Sequence, residues 1–269
     1  MSRLDFAQAA RAAEAAADVA RREILARFRH TTTEIKNDGS PVTEADRAAE
    51  RAIRAVLKQH TPDVAVVGEE FGGENSGSGW CWTIDPIDGT IAYSRGIPLF
   101  GTLIALLAEG EPVLGLIDLP TLNERYVGWR NGGCRRNGKP VRVSQERDLD
   151  SAIIAHGDAA YFARAGETEA FRRLAAEIPY FRGYTDCFGH AQVLGGGVAA
   201  MVDLNLSIWD AAATRVLVTE AGGTCLCFCD PTPQKIGLVF GSPPLVEKLA
   251  AFLGNERLDT DTRSKELLK

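Results

Sequence analysis

Apolar residues recur at steps of three and four from Leu4 to Phe28, amid many alanines, and this spacing predicts an amphipathic helix packed along one face. Turn-forming residues follow at Lys36-Asn37-Asp38-Gly39-Ser40-Pro41. Thr43 with Glu44, Ala45 and Asp46 then signals a helix start, predicting a second helix to about Gln59. The β-branched run Val64-Ala65-Val66-Val67 reads as a strand ending in Gly68-Glu69-Glu70, and the Gly/Ser/Asn-rich stretch Gly72 to Gly79 as a mobile loop. Trp80-Cys81-Trp82-Thr83-Ile84 predicts another strand, ending in Asp85. Phe100–Ala108 and Pro112–Leu119 predict a hairpin around Glu109-Gly110-Glu111. Further on, strands are expected near Ala152–Ala155, Val198–Val202, Thr224–Phe228 and Ile236–Phe240, with helices near Glu167–Glu177, Asp210–Ala221 and Pro244–Leu253. Strands and helices alternate without a repeat or a long linker, which predicts a mixed α/β fold in one continuous unit with a loose boundary near residue 150, between lobes 1–150 and 151–269.

Composition alters this picture little. The chain has 269 residues, 45% hydrophobic and 25% charged, enough for a substantial core. The net charge of −6, with basic residues interspersed among acidic ones, leaves no stripe for nucleic acid or anionic lipid, so a small diffusible substrate is expected. No apolar run reaches the roughly 18 residues of a membrane span, and Met1–Phe28 alternates Arg with Asp and Glu, unlike a targeting peptide; a cytoplasmic protein is expected. Six cysteines without framework spacing predict reduced thiols. Cys225, Cys227 and Cys229 invite a zinc reading, but their period of two puts them on one face of a strand, whereas zinc sites use closely spaced pairs on turns.

The chemistry lies in the acids. Phosphate esters resist hydrolysis because their anionic oxygens repel a nucleophile, and divalent cations held by oxygen ligands relieve that repulsion. Magnesium asks for a few carboxylates at strand ends and loops. In Asp85-Pro86-Ile87-Asp88-Gly89-Thr90, Pro86 biases Asp85 toward extended backbone, and a tight turn then aims Asp85 and Asp88 at one point. The carbonyl of Ile87 lies between them as a further oxygen ligand. Gly89 permits close backbone approach, and Thr90 adds a hydroxyl and an N–H where a phosphate would lie. A plain surface turn would explain this segment alone, but not its company of other motifs.

Gly68-Glu69-Glu70, Trp82-Thr83-Ile84-Asp85-Pro86-Ile87-Asp88-Gly89-Thr90, Trp209-Asp210 and Thr219-Glu220-Ala221-Gly222-Gly223 together resemble the inositol monophosphatase family, in order and approximate spacing from Lys36 to Gly223. The resemblance implies a layered α-β-α-β-α sandwich, a homodimer, and a phosphatase that uses two or three Mg2+ per site. It implies that Glu69, Asp85, the Ile87 carbonyl, Asp88 and Asp210 bind the metal, with Glu70 in support. Thr90 and Asp46 would activate the attacking water, Gly89 and Thr90 would hold the phosphate through backbone N–H groups, and no covalent phosphoenzyme forms. Asp46 also fits a capping-box acid and Asp210 an N-cap, roles compatible with chemistry.

Gly68-Glu69-Glu70-Phe71-Gly72-Gly73, Tyr93-Ser94-Arg95-Gly96 and Arg182-Gly183-Tyr184-Thr185-Asp186 look most like the histidinol-phosphate phosphatase branch. A carboxylate complements that substrate's ammonium, which points to Asp186, beside Thr185, while Asp203 matches a substrate-contacting acid of the family and would hold a hydroxyl or the amine. Inositol 1-phosphate or a range of sugar phosphates is the rival substrate reading, and a non-catalytic metal-dependent binding module the rival of another class. One departure stands out: the family usually has Asn after Asp-Gly-Thr and one further residue, where this chain has Ala92, so a turn or the pocket wall is altered. His156 and His190 receive no role, because metal chemistry does not require imidazole.

Overall fold

The computed structural model describes residues 5–37, 39–73 and 79–253; most of the Gly72–Gly79 loop, and Asp38 of the first turn, lie outside them. The N-terminal half comprises α1 (Phe6–Arg27), β1 (Thr33–Ile35), β2 (Pro41–Thr43), α2 (Glu44–His60), β3 (Ala65–Gly68), β4 (Trp80–Asp88), α3 (Thr90–Ser94), β5 (Gly101–Ala108), β6 (Glu111–Leu119), β7 (Glu124–Trp129), β8 (Gly133–Arg136) and β9 (Lys139–Pro140). The remainder comprises β10 (Ile154–His156), α4 (Ala159–Arg164), α5 (Thr168–Glu177), β11 (Phe181–Gly183), α6 (Asp186–Leu194), β12 (Ala200–Leu206), α7 (Ile208–Glu220), β13 (Thr224–Cys229), β14 (Ile236–Gly241) and α8 (Pro243–Leu253).

Two sheets organise these elements. Seven strands run in the order β3-β4-β5-β6-β7-β8-β9 and five in the order β11-β10-β12-β14-β13, while β1 and β2 form a separate hairpin. Helices α1 and α2 pack on each other and on the outer face of the larger sheet; α6 and α7 lie between the sheets; α8 covers the far face of the smaller sheet with α5 against it. Each layer boundary holds its own apolar cluster. One includes Ala13, Ala17, Ile53, Trp82 and Ile104, the next Leu103, Ile117, Leu217 and Phe240, the last Ile154, Leu174, Val239 and Leu249. The result is the expected α-β-α-β-α sandwich. The alanines of α1 explain its close seat on α2: Ala9, Ala13, Ala16, Ala17 and Ala20 are buried, and side chains this small let helix backbones approach.

Several expectations are adjusted by the backbone. Strand β4 continues past Ile84 to Asp88, so the two acids occupy a bulged strand end instead of a tight turn. Asp85 pairs with Leu103 and Asp88 with Gly101, so three steps on β4 oppose two on β5. In a regular strand, residues three apart point to opposite faces; the extra residue brings them back to one side. Pro86 has no N–H to lose from the ladder, and its carbonyl accepts the Thr102 hydroxyl at 2.8 Å. The smaller sheet repeats the device: between Asp203 and Leu206 the register with β14 also shifts, and Asn205 has φ 59°. Helix α7 begins at Ile208, two residues before the expected start, with Ser207 as its N-cap; Asp210 is the capping-box acid of the first turn, not the cap itself. Cys225, Cys227 and Cys229 lie on edge strand β13, and none of the six cysteines is in a disulfide.

Candidate active site

A cavity of about 330 Å³ opens where the two bulged strands and the first turns of α3, α6 and α7 converge. Asp85 and Asp88 come from β4, Asp210 from α7, and one carboxylate oxygen of each lies within 4.8 Å of the others. Glu69 reaches the same cavity from the segment after β3, whose backbone is tied to β4 by the Glu69 N–H donated to Ile84 O at 3.1 Å. Asp88 Oδ2 accepts the Cys187 N–H at 2.5 Å, and Asp210 Oδ2 accepts the Ser207 N–H at 2.8 Å. Asp85 Oδ1 is buried and has no hydrogen-bond partner among the described residues.

Such crowding is costly without a counter-charge. Burial, followed by the neighbouring acids, raises the Asp85 and Asp88 carboxyls well above the carboxylate range, and Asp210 rises to about 7. Oxygen-only donors, an orphaned buried acceptor and mutual repulsion fit a divalent cation and do not fit a soft one. Among the described residues, Asp85, Asp88 and Asp210 form the one metal-capable cluster, and no cysteine belongs to it.

Next to this cluster, Gly89 holds φ +90°, a left-handed conformation that L side chains rarely adopt, and caps α3. That conformation turns the chain so that Gly89 and Thr90 border the cavity at the N-terminus of α3. The Thr90 hydroxyl lies 2.9 Å from Ile87 O and 3.2 Å from Asp46 Oδ1. Asp46 sits behind Thr90, fully buried, and is the acid of the α2 capping box: its Oδ2 accepts the Thr43 N–H at 2.8 Å and the Thr43 hydroxyl at 2.6 Å. Capping therefore occupies one oxygen and leaves the other toward Thr90. Burial raises the Asp46 carboxyl, although the Thr43 hydrogen bonds oppose the shift.

Beside Asp88 and Gly89, Asp186 begins α6 at φ 57°, with Oδ2 accepting the Thr185 hydroxyl at 2.8 Å. Space at Gly89 is short as well, because a Cβ would stand 3.1 Å from Leu99 O and 3.3 Å from Phe100 Cβ, with Asp186 Oδ2 next at 3.4 Å. Asp203 lines the cavity with its Oδ2 3.0 Å from His190 Nε2, and His190 Nδ1 lies 2.7 Å from the Thr214 hydroxyl. Asp46, Glu70 and Thr185 are not among the lining residues. Nor is Ala92, so the altered position sits in α3 and does not form the pocket wall. Glu70 is instead paired with Lys36, whose Nζ donates to Glu70 Oε1 at 2.6 Å and Glu69 Oε1 at 2.8 Å. Burial lifts the Glu70 carboxyl to about 7 despite that contact.

Lys36, Asp158, Tyr161 and Lys235 were not marked by sequence patterning, yet all line the cavity. Lys36 arrives on the β1–β2 hairpin and Lys235 from just before β14, where its Nζ donates to the Ser207 hydroxyl at 2.6 Å. Isolated lysines in turn-like sequence carry no periodic signal, so neither is legible before the chain folds.

A profile of the inositol monophosphatase family matches residues 2–257. The chain belongs to the inositol monophosphatase family. Within that family it is 38% identical over 228 residues to a histidinol-phosphatase of Chlorobaculum parvum, covering 83% of this chain and 87% of the relative. It is 30% identical to a fructose-1,6-bisphosphatase/inositol-1-monophosphatase of Aquifex aeolicus, covering 78% and 81%. The structure of an inositol monophosphatase from Zymomonas mobilis superposes with TM-score 0.81 at 32% identity, covering 94% of this chain and all of that one. As a family member the protein is a phosphatase, a hydrolase of phosphate esters, and its acid cluster suits the metal dependence of the family. Among the described residues no helix is long and apolar enough to cross a membrane.

Proposed function

We propose that this phosphatase is a magnesium-dependent phosphomonoesterase that converts histidinol phosphate to histidinol and phosphate. The observation that supports the substrate choice is the surplus of carboxylates in the cavity: Asp158, Asp186 and Asp203 line it beside the acid cluster, and an ammonium would meet them with a charge-assisted contact where a neutral polyol offers only hydroxyls. The histidinol-phosphatase names of the relatives from Chlorobaculum parvum and Mycobacterium tuberculosis support the same choice.

In this reading Glu69, Asp85, the Ile87 carbonyl, Asp88 and Asp210 hold two or three Mg2+, with Glu70 fixing Lys36 beside them. Bound there, the cations screen the anionic ester, acidify a water and stabilise the departing oxygen. The backbone N–H groups of Gly89 and Thr90 receive phosphate oxygens. Thr90 Oγ1 accepts the proton of the attacking water while its own passes to Asp46 Oδ1, the oxygen that capping leaves uncommitted. Asp186 and Asp203 receive the ammonium, and Thr185 holds Asp186 in place. The chain acts as one unit of two lobes, 1–150 and 151–269, that share this site, and six cysteines outside any disulfide support a reducing, cytoplasmic setting.

Phosphate release from histidinol phosphate, inositol 1-phosphate and fructose 1,6-bisphosphate, each with Mg2+ and with EDTA, tests the reading. The expected result is a kcat/KM for histidinol phosphate about tenfold or more above the others, abolished by EDTA. Preference for inositol 1-phosphate would refute the substrate, and ligand binding without turnover of any ester would refute catalysis.

A further inference from the structure

The segment that carries Glu69 is held from behind by a carboxylate that none of the roles above uses. Glu50 lies on α2 one turn after Asp46 and is fully buried. Its Oε2 accepts the Glu70 N–H at 2.8 Å, and its Oε1 accepts the Phe71 N–H at 3.3 Å and Arg54 Nε at 2.7 Å. Arg54 extends the frame with Nη1 on Val66 O at 3.1 Å and Nη2 on Gly72 O. Within it, Gly68 and Gly72 exchange backbone hydrogen bonds of 2.9 Å in both directions, closing a turn with Glu69 and Glu70 in it.

A fully buried charge is expensive unless its hydrogen bonds and its counter-charge are all in place, and Glu50 has both. The chain also makes room for it: a Cβ on Gly68 would stand 2.1 Å from Glu50 Oε1. The Lys36 ion pair holds the end of the Glu69 side chain but does not set the direction of its backbone. The backbone clamp does so, together with the bond from Glu69 N–H to Ile84 O next to Asp85. One helix thereby serves both halves of the site, since α2 presents Asp46 to Thr90 and, one turn later, Glu50 to the Glu69 turn.

We propose that Glu50, neutralised by Arg54, is the positioning residue for Glu69 and so sets the affinity of the site for its divalent cation. This rests on Glu69 being a metal ligand, and the test separates the two statements. Mn2+ is titrated into the full chain and its free ion followed by electron paramagnetic resonance, for the wild type, Glu50→Gln, Arg54→Lys and Glu69→Gln. Melting in EDTA and Mg2+-dependent kinetics are measured in parallel.

Glu50→Gln is expected to weaken Mn2+ binding about tenfold, because an amide offers one acceptor oxygen in place of two and strands a buried N–H. Its kcat at saturating Mg2+ should fall by a smaller factor than its apparent Mg2+ affinity. Arg54→Lys, which keeps the charge but cannot span three acceptors, is expected to weaken binding about threefold, and it decides the matter if Glu50→Gln does not fold. A lower melting temperature with unchanged Mn2+ affinity in these variants would make Glu50 a packing residue and overturn the proposal. Unchanged affinity in Glu69→Gln would remove Glu69 from the ligands and the proposal with it. Weakened binding in Glu69→Gln but not in Glu50→Gln or Arg54→Lys would remove the clamp alone.

Discussion

Asp88 accepts the Cys187 N–H and also brings a carboxylate oxygen within 4.8 Å of those of Asp85 and Asp210, so it combines a structural bond with an electrostatic burden. Asp88→Asn keeps the shape but supplies a neutral ligand, and is expected to lower kcat/KM about a hundred- to a thousandfold. In EDTA the same variant should melt no lower than the wild type, because it removes one of several repelling charges. A calorimetric scan beside the kinetics checks both halves, and full turnover at saturating Mg2+ would contradict this placement of the metals. Thr90 and Asp46 act on one proton, so their losses should not add. Thr90→Val and Asp46→Asn are each expected to cost about a hundredfold in kcat, and the double variant little more. Equal and fully additive losses would place the two residues in separate steps.

Both capping boxes end at the site. Thr43 with Asp46 starts α2, and Ser207 with Asp210 starts α7, so the bonds that fix each helix start also fix one oxygen of a functional acid. The sequence pattern of Thr43 and Asp46 was legible as a capping box because the spacing is local. Asp210 fits the cap equally well in sequence, because an acid suits either the cap or the first turn, and only the fold puts Ser207 at the cap. Short α3 depends on Gly89 in the same way. Gly89→Ala would force an L side chain into φ +90° and set its Cβ 3.1 Å from Leu99 O. A loss of about 1–2 kcal/mol in stability is expected from the backbone alone, measurable by urea unfolding, together with a raised KM as the phosphate-facing N–H groups turn away.

The assembled acids couple the whole molecule to pH. Asp210 moves from its ordinary 3.8 to about 7 in the fold, and Asp85 and Asp88 move the same way. A carboxyl whose folded pKa is raised contributes stability below its unfolded pKa and loses it as pH rises through the folded value. Metal-free protein is therefore expected to melt at falling temperature between about pH 4 and pH 8. Mg2+ restores what is lost, so the Mg2+-induced rise in melting temperature should be larger at pH 8 than at pH 5 when followed by scanning fluorimetry. A rise independent of pH would show that the cluster is not where Mg2+ binds. At the same scale, Leu25, Ile97, Leu99 and Leu122 are exposed, and the segments that carry them are tied together: Thr121 donates to Pro98 O at 2.6 Å, and Arg21 of α1 donates to Asn123 at 2.8 Å. The homodimer implied by the family resemblance is expected to cover apolar side chains left exposed on such adjoining segments. Light scattering is expected to give a dimer mass, reduced to the monomer by Ile97→Asp with Leu122→Asp.

The sequence by itself determined the acids, the glycine-threonine pair that follows them, and the periodicities of the long helices and central strands, because each of these is a matter of neighbouring residues. It also carried the resemblance from which the layered fold followed. What it could not show is convergence. The direction of Asp88 relative to Asp85 depends on a bulge, which exists only because β5 supplies one residue fewer across the ladder. The approach of Asp186 to Gly89, of Asp203 to His190 and of Lys36 to Glu69 joins residues that are far apart along the chain, held by packing between sheets and helices that no local pattern encodes. Glu50 is the clearest case. In sequence it is one more charge on an amphipathic helix, and only the tertiary structure buries it beneath the turn that holds Glu69.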